Sequence, residues 1–136
     1  MSRFVFWTGI YNAVLAASLL FPPMYRAIGL NIPAPIWGWL FSAFLAYTSL
    51  VLIYASKDLH RCAPLVYWEA LLRYAAGLLL IAGGLFGNLG LTAAAVGTAD
   101  LFIGLVYMFG LPHELEVSHS ALLLDKVDPD GRAKAA

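Results

Sequence analysis

Three ionisable side chains lie inside apolar runs of this sequence. Glu69 and Arg73 interrupt the stretch VYWEALLRYAAGLLLIAGG (66–84), and Asp100 interrupts a second run. Glu69 and Arg73 are four residues apart, so on a helix they stand one turn apart and can form an ion pair. A charge in the hydrocarbon core of a membrane costs at least about 2.5–3.5 kcal/mol. Such groups therefore pair with one another, or they mark a site that binds a ligand or handles protons.

The charges of this cluster do not balance. With both acids ionised, Glu69, Arg73 and Asp100 carry a net charge of minus one, so either one carboxyl holds a proton or neutral donors compensate. Asn12, on another apolar run, is the fourth member that we predict for this polar network, which binds a ligand or stabilises the structure. The supporting polar side chains that we predict around it are Thr8, Ser49, Tyr74 and Tyr107.

Other residues that could do chemistry lack a recognisable pattern. HELEVSH (113–119) does not match the HExxH zinc motif, because Val117 stands where the second histidine would be. Cys62 is the one cysteine, so it has neither a disulfide partner nor a CxxC motif. We therefore predict no catalytic residues, no metal, no resident cofactor and no independent catalytic activity. A bound lipid or quinone remains compatible with the polar network.

The composition predicts a membrane protein. Of the 136 residues, 62% are hydrophobic and 12% are charged, whereas about 25% are charged in a typical soluble domain. A chain of this kind cannot cover its apolar surface in water. Its formal net charge is zero, so there is no basic surface to attract nucleic acid.

Four apolar runs are each about long enough to cross the hydrocarbon core, which takes roughly 20 residues. Because the backbone in lipid must satisfy its own hydrogen bonds, we predict that each is a helix. Proline-rich, polar and glycine-rich segments separate them: FPPMYRAIGLNIPAP (21–35), KDLHRCAP (57–64) and GNLG (87–90). The four runs are roughly 4–21, 35–56, 65–86 and 89–111.

The fold that we predict is an all-α membrane protein, an antiparallel bundle of four transmembrane helices in residues 1–112. Most Lys and Arg residues fall on the side of the two termini and only Arg26 on the other, which predicts that both termini are cytoplasmic. Residues 113–136 form a cytoplasmic tail. Within it we expect a short interfacial helix at 114–124 that turns three leucines to the membrane, and a mobile end of about eight residues. These leucines are Leu115, Leu122 and Leu123.

Each predicted helix carries one stripe of small or polar residues, which we expect to face the bundle interior. At a rise of about 1.5 Å per residue, Asn12, Arg73 and Asp100 lie within about one turn of the same depth. Arg73 is then able to reach both Glu69 and Asp100. The predicted interior faces are Gly90, Ala93, Gly97, Asp100 and Gly104 on the fourth helix and Glu69, Arg73, Ala76, Leu80 and Gly83 on the third.

Three short segments carry a resemblance to a known group of proteins. IGLNIP (28–33), ASKDLHR (55–61) and Asp100 in the last helix stand in the order found in small bacterial four-helix membrane proteins of unknown function, loosely grouped as DoxX-like. The sequence resembles them over most of residues 9–112. The resemblance implies a bacterial inner-membrane location and, for some members, a role as a small subunit of a quinone-linked oxidoreductase.

Two interpretations of the polar network remain open. It either fixes the register of the helices or forms a binding or proton-handling site. We predict a small accessory or scaffold protein that binds lipid, quinone or a partner membrane protein, as a homo-oligomer or as a subunit of a larger complex. The alternative is a small proton-coupled transporter or channel, which must be oligomeric because four short helices rarely enclose a pathway. A third interpretation is an enzyme subunit in which Arg73 receives an anionic headgroup or a quinone oxygen.

Overall fold

The structure is a computed structural model that describes residues 1–127, and its regular elements there are all helices. Four of them are long and apolar enough to cross a membrane, as predicted, which identifies an integral membrane protein of the all-α class. The predicted mobile end of the tail lies outside the described residues. The helices are α1 (Ser2–Leu20), α2 (Pro22–Ala27), α3 (Pro35–Ala55), α4 (Leu59–Leu85), α5 (Leu91–Leu115) and α6 (His119–Leu123).

The prolines and one aspartate decide where the helices begin. Pro22 and Pro35 occupy the first positions of α2 and α3, where the missing N–H has no intrahelical acceptor to lose. The Asp58 carboxylate caps α4 by accepting a hydrogen bond from the Arg61 backbone N–H at 3.3 Å. Because of this cap, α4 begins six residues before the predicted start and includes Pro64. The prediction that the polar connection extends to Pro64 is therefore wrong.

The four long helices pack as two close pairs, α1 with α3 and α4 with α5, and contacts between the pairs are fewer. In the second pair, a Cβ added to Gly97 would lie 2.6 Å from the carbonyl oxygen of Gly77. In the first pair, a Cβ added to Gly9 would lie 3.2 Å from the carbonyl oxygen of Ser49. Small residues therefore let the backbones approach within each pair.

Larger side chains fill the space shared by the two pairs. Val5 of α1, Leu52 of α3 and Tyr107 of α5 are fully buried there in one continuous cluster. Because the close glycine contacts along the long helices lie within each pair, the contact between the pairs at this level depends on side chains.

The predicted interior face of α5 is confirmed for four of its five residues, since Gly90 is only half-buried at the N-cap, whereas the predicted face of α4 is wrong by one residue at its far end. Gly77 and Gly84 are buried, in place of the predicted Ala76 and Gly83. The reason is the approach to α5: a Cβ on Gly84 would meet the Ala94 backbone nitrogen at 2.6 Å. The closest backbone approach, rather than the polar residues, sets the rotation of this half of α4.

The tail turns back onto the bundle. Glu116 has a left-handed backbone conformation (φ 54°) and ends α5, and the Ser118 hydroxyl then caps α6 by accepting from the Ala121 N–H. Leu115 and Leu122 are buried against α4 and α5 residues, so the prediction that they face the membrane is wrong. Leu123 is partly exposed. The short helix at this end completes the protein core.

Candidate functional site

Arg73 is the centre of a polar network that joins three long helices. Its Nε donates to Glu69 Oε2 at 2.8 Å, one turn back along α4. Its Nη1 donates to Asp100 Oδ1 of α5 at 2.6 Å, and its Nη2 donates to Asn12 Oδ1 of α1 at 3.1 Å. The structure thus brings together the four residues of the predicted network, and each guanidinium nitrogen makes one of these bonds.

All four members are buried. The exposed fraction is 2% for Asn12, 4% for Arg73, 8% for Asp100 and 9% for Glu69. Burial of this degree separates the charges from water, so each depends on its partners for stabilisation. Removing one partner of a buried ion pair typically costs about 3–5 kcal/mol, because the other charge is left uncompensated.

Asn12 is held in place by a residue that sequence reasoning missed. Its Nδ2 donates to Thr48 Oγ1 of α3 at 3.1 Å, which leaves Oδ1 to face Arg73. The Thr48 hydroxyl in turn donates to the Leu45 carbonyl at 3.1 Å. The predicted Ser49 is buried one position further along, and within residues 1–127 its hydroxyl makes no hydrogen bond to the network. The hydroxyl of Thr48, the residue next to Ser49, was the available signal.

Tyr107 and Thr8 support the network from the side of the termini. The Thr8 hydroxyl donates to the Val5 carbonyl at 2.9 Å and accepts from the Tyr107 hydroxyl. The Tyr107 ring lies 5.9 Å from Arg73 Cζ, within the range of a cation–π contact. The predicted Tyr74 packs beside Gly104 and, among the described residues, forms no hydrogen bond with the network.

The charge count of the network is the one that the sequence predicts. Two carboxyls face one guanidinium, and the described residues bring no second cation to them. Glu69 and Asp100 each use a single carboxylate oxygen for Arg73, so within the described part of the chain each has a second oxygen free to accept. Which group, if any, holds a proton stays a prediction.

The hydrogen bonds of this region join all four long helices at one level. Arg73 connects α4 with α5 through Asp100 and with α1 through Asn12, and Asn12 connects α1 with α3 through Thr48. Of these connections, the one between Arg73 and Asn12 crosses between the two helix pairs, and the hydrogen bond between Thr8 and Tyr107 is a second crossing. This arrangement can fix the position of one pair on the other.

One buried hydroxyl lies outside the network. Tyr25 of α2 is fully buried, and within residues 1–127 its hydroxyl has no hydrogen-bond partner. Its ring packs on Gly38 near the start of α3. Sequence reasoning missed Tyr25, because a proline-rich connection predicts neither a helix nor a buried residue.

One histidine of the tail, His119, packs against aromatic side chains. His119 Nδ1 lies 3.0 Å from the Tyr67 hydroxyl of α4, and the His119 ring lies edge-on to Phe109. In residues 1–127, no three His, Cys, Asp or Glu side chains are placed to hold a metal ion.

Comparisons with protein-family models, with curated proteins and with solved structures give no match.

Proposed function

We propose that this protein is a small accessory or scaffold protein of a bacterial inner membrane, with both termini cytoplasmic. It acts by binding lipid, quinone or a partner membrane protein, as a homo-oligomer or within a larger complex. The buried network locks the two helix pairs into one shape. The observation that carries the proposal is the guanidinium of Arg73, which is bonded to partners on three helices and shielded from solvent.

The outer surface supports the binding part of this proposal. On α3, two tyrosines and a leucine form an exposed stripe one helical turn apart, and each is more than 60% exposed. Tyrosine combines apolar contact area with a hydroxyl, and it is favoured both at protein interfaces and at membrane surfaces. A partner helix or lipid chain can pack along this stripe without opening the network. Its members are Tyr47, Leu50 and Tyr54.

Gentle extraction followed by native mass spectrometry tests the proposal. We expect a complex of fixed stoichiometry, containing either a second protein or several copies of this chain, with lipid or quinone retained. Tyr47→Ala and Tyr54→Ala together should weaken that complex, whereas Trp68→Ala, an exposed aromatic on α4, serves as the matched control. A monomer that carries no lipid, quinone or partner would contradict the proposal.

Proton transport is the second candidate, and the unequal charge count favours it. The free carboxylate oxygens of Glu69 and Asp100 provide positions at which a proton could bind within the membrane. In proteoliposomes under a pH gradient, transport predicts a proton flux that is lost in Asp100→Asn. The control is Glu116→Gln, which alters a carboxylate exposed in the tail. Flux that Asp100→Asn leaves unchanged would exclude this role for Asp100.

A further inference from the structure

The connections at the end of the bundle opposite the termini are bonded to each other. The backbone N–H of Asn31, between α2 and α3, donates to the Leu89 carbonyl between α4 and α5 at 3.0 Å. The Thr92 hydroxyl donates to the Ile28 carbonyl at 2.5 Å. These bonds join the two helix pairs a second time, far from Arg73. The two connections therefore form one continuous surface.

Two glycines fix the shape of that surface. Gly29 and Gly90 both have positive φ angles, 82° and 89°, which favour glycine over residues with a side chain. A Cβ on Gly90 would collide with the Gly29 carbonyl oxygen, so the two turns fit together only without side chains. The surface is held by backbone geometry and is formed before any ligand arrives.

A pocket of about 360 Å³ lies on this surface. Small-molecule sites typically measure about 300–1,000 Å³, so its size is sufficient for a small ligand or a lipid headgroup. A second pocket, at the end of the termini, measures about 190 Å³ and falls below that range. The residues that line the larger pocket come from both connections and are Arg26, Asn31, Ile32, Pro33 and Asn88.

The polar groups of the pocket match an oxyanion that carries hydroxyl groups. Among residues 1–127, Arg26 forms no ion pair, so its guanidinium is free to bind phosphate through two parallel hydrogen bonds. The carboxamides of Asn31 and Asn88 can each donate and accept, as hydroxyl groups require. One of the side chains that line the pocket, Arg26, is cationic. The pocket lies where α3 and α5 begin, at the ends of the apolar spans, which is the level of lipid headgroups.

We propose that this pocket binds a phosphate group esterified to a small polyol, with Arg26 on the phosphate and Asn31 and Asn88 on the hydroxyls. Glycerol phosphate has this chemistry, both as the headgroup of an anionic phospholipid and as a free compound. The proposal concerns a site separate from the buried network. It stands whether the network acts as a lock or as a proton site.

Binding to the full chain in neutral detergent micelles tests the proposal. Phosphatidylglycerol added to the micelles should raise the melting temperature in a concentration-dependent way, because a ligand that binds the folded state stabilises it. Phosphatidylcholine, which has a phosphate but no free hydroxyls and no net charge, should raise it less. Equal effects of the two lipids would overturn the proposal.

Two arginine variants locate the site. Arg26→Gln should weaken phosphatidylglycerol binding by about tenfold or more, since a charge-assisted pair of hydrogen bonds is lost. Asn88→Ala should weaken it by a smaller factor. Arg3→Gln, the control, removes one positive charge from the smaller pocket and should bind phosphatidylglycerol as tightly as the unaltered protein does. Unchanged binding by Arg26→Gln, or loss of binding by Arg3→Gln alone, would overturn the assignment.

A third arm identifies the source of the phosphate. Free glycerol 1-phosphate that displaces phosphatidylglycerol and itself stabilises the protein would support a soluble ligand. Stabilisation by the lipid together with no effect of glycerol 1-phosphate would support a lipid headgroup held partly by its chains. Absence of stabilisation by either compound would refute the site. Melting temperatures of the variants without ligand report separately on folding.

Discussion

Arg73→Leu is the perturbation that bears most directly on the polar network. The leucine removes three hydrogen bonds and leaves the carboxylates of Glu69 and Asp100 buried side by side without a cation. Breaking a buried ion pair by removing one partner costs about 3–5 kcal/mol. Folded domains have a total stability of about 5–15 kcal/mol. We therefore expect Arg73→Leu to lose a large part of the stability of the protein.

The loss is measured as the change in melting temperature and in unfolding by denaturant, both in one neutral detergent. Glu69→Gln should cost less than Arg73→Leu, because Asp100 and Asn12 still bind the guanidinium. Arg61→Leu, which removes an exposed arginine from the same helix, is the matched control and should leave the melting temperature unchanged. Arg73→Leu that unfolds at the same temperature as the unaltered protein would refute the reasoning.

A triple variant separates a lock from a working site. Replacing a whole buried ionic cluster by apolar residues is often neutral or stabilising, since no desolvated charge is left behind. Glu69→Leu, Arg73→Leu and Asp100→Leu combined should therefore recover most of the stability that Arg73→Leu loses. If the network serves only as a lock, partner binding recovers with it. Recovered stability without recovered binding would assign the network a direct role.

Three further variants test the packing and hydrogen bonding described above, each by melting temperature in detergent. Gly97→Ala should lower the free energy of unfolding by about 1–3 kcal/mol, because its Cβ meets a backbone carbonyl of α4. Gly110→Ala, whose Cβ would meet only the flexible end of the Met1 side chain, is the control and should be tolerated. Equal costs of the two variants would contradict the close contact between α4 and α5. Tyr25→Phe removes an unpartnered buried hydroxyl and should be neutral or stabilising; a clear loss would mean that the hydroxyl has a partner. Asn12→Ala leaves part of Arg73 unbonded and should cost about 1–3 kcal/mol; an unchanged melting temperature would rule out that contribution.

The sequence was sufficient to predict the membrane helices and the members of the network. The four-residue spacing of Glu69 and Arg73 places them one turn apart on a helix. Counting residues from the helix ends brought Asn12 and Asp100 to a similar depth. Both arguments use only the fixed geometry of an α-helix. They hold because a chain in lipid has few alternatives to helical structure.

The remaining features depend on packing that a one-dimensional pattern does not contain. Thr48 and Ser49 differ by about 100° around α3, and the close approach of Gly9 decides which of them faces Asn12. Pro64 looked like a helix boundary, yet the cap at Asp58 extends α4 through it. The burial of Leu122 depends on a chain reversal that has no distinctive sequence signal.

The arrangement of the spans in two close pairs also bears on biosynthesis. A chain made from its N-terminus completes the pair α1 and α3 before Arg73 exists, so Asn12 enters the bilayer with Thr48 as its hydrogen-bond partner. Glu69 then precedes Arg73 by one turn of α4, whereas Asp100 follows much later. Glu69 is thus the partner with which the Arg73 guanidinium can enter the hydrocarbon. This pairing is available before α5 has joined the bundle. Glu69 can therefore act on Arg73 during insertion, whereas Asp100 can act on it only once α5 has been made.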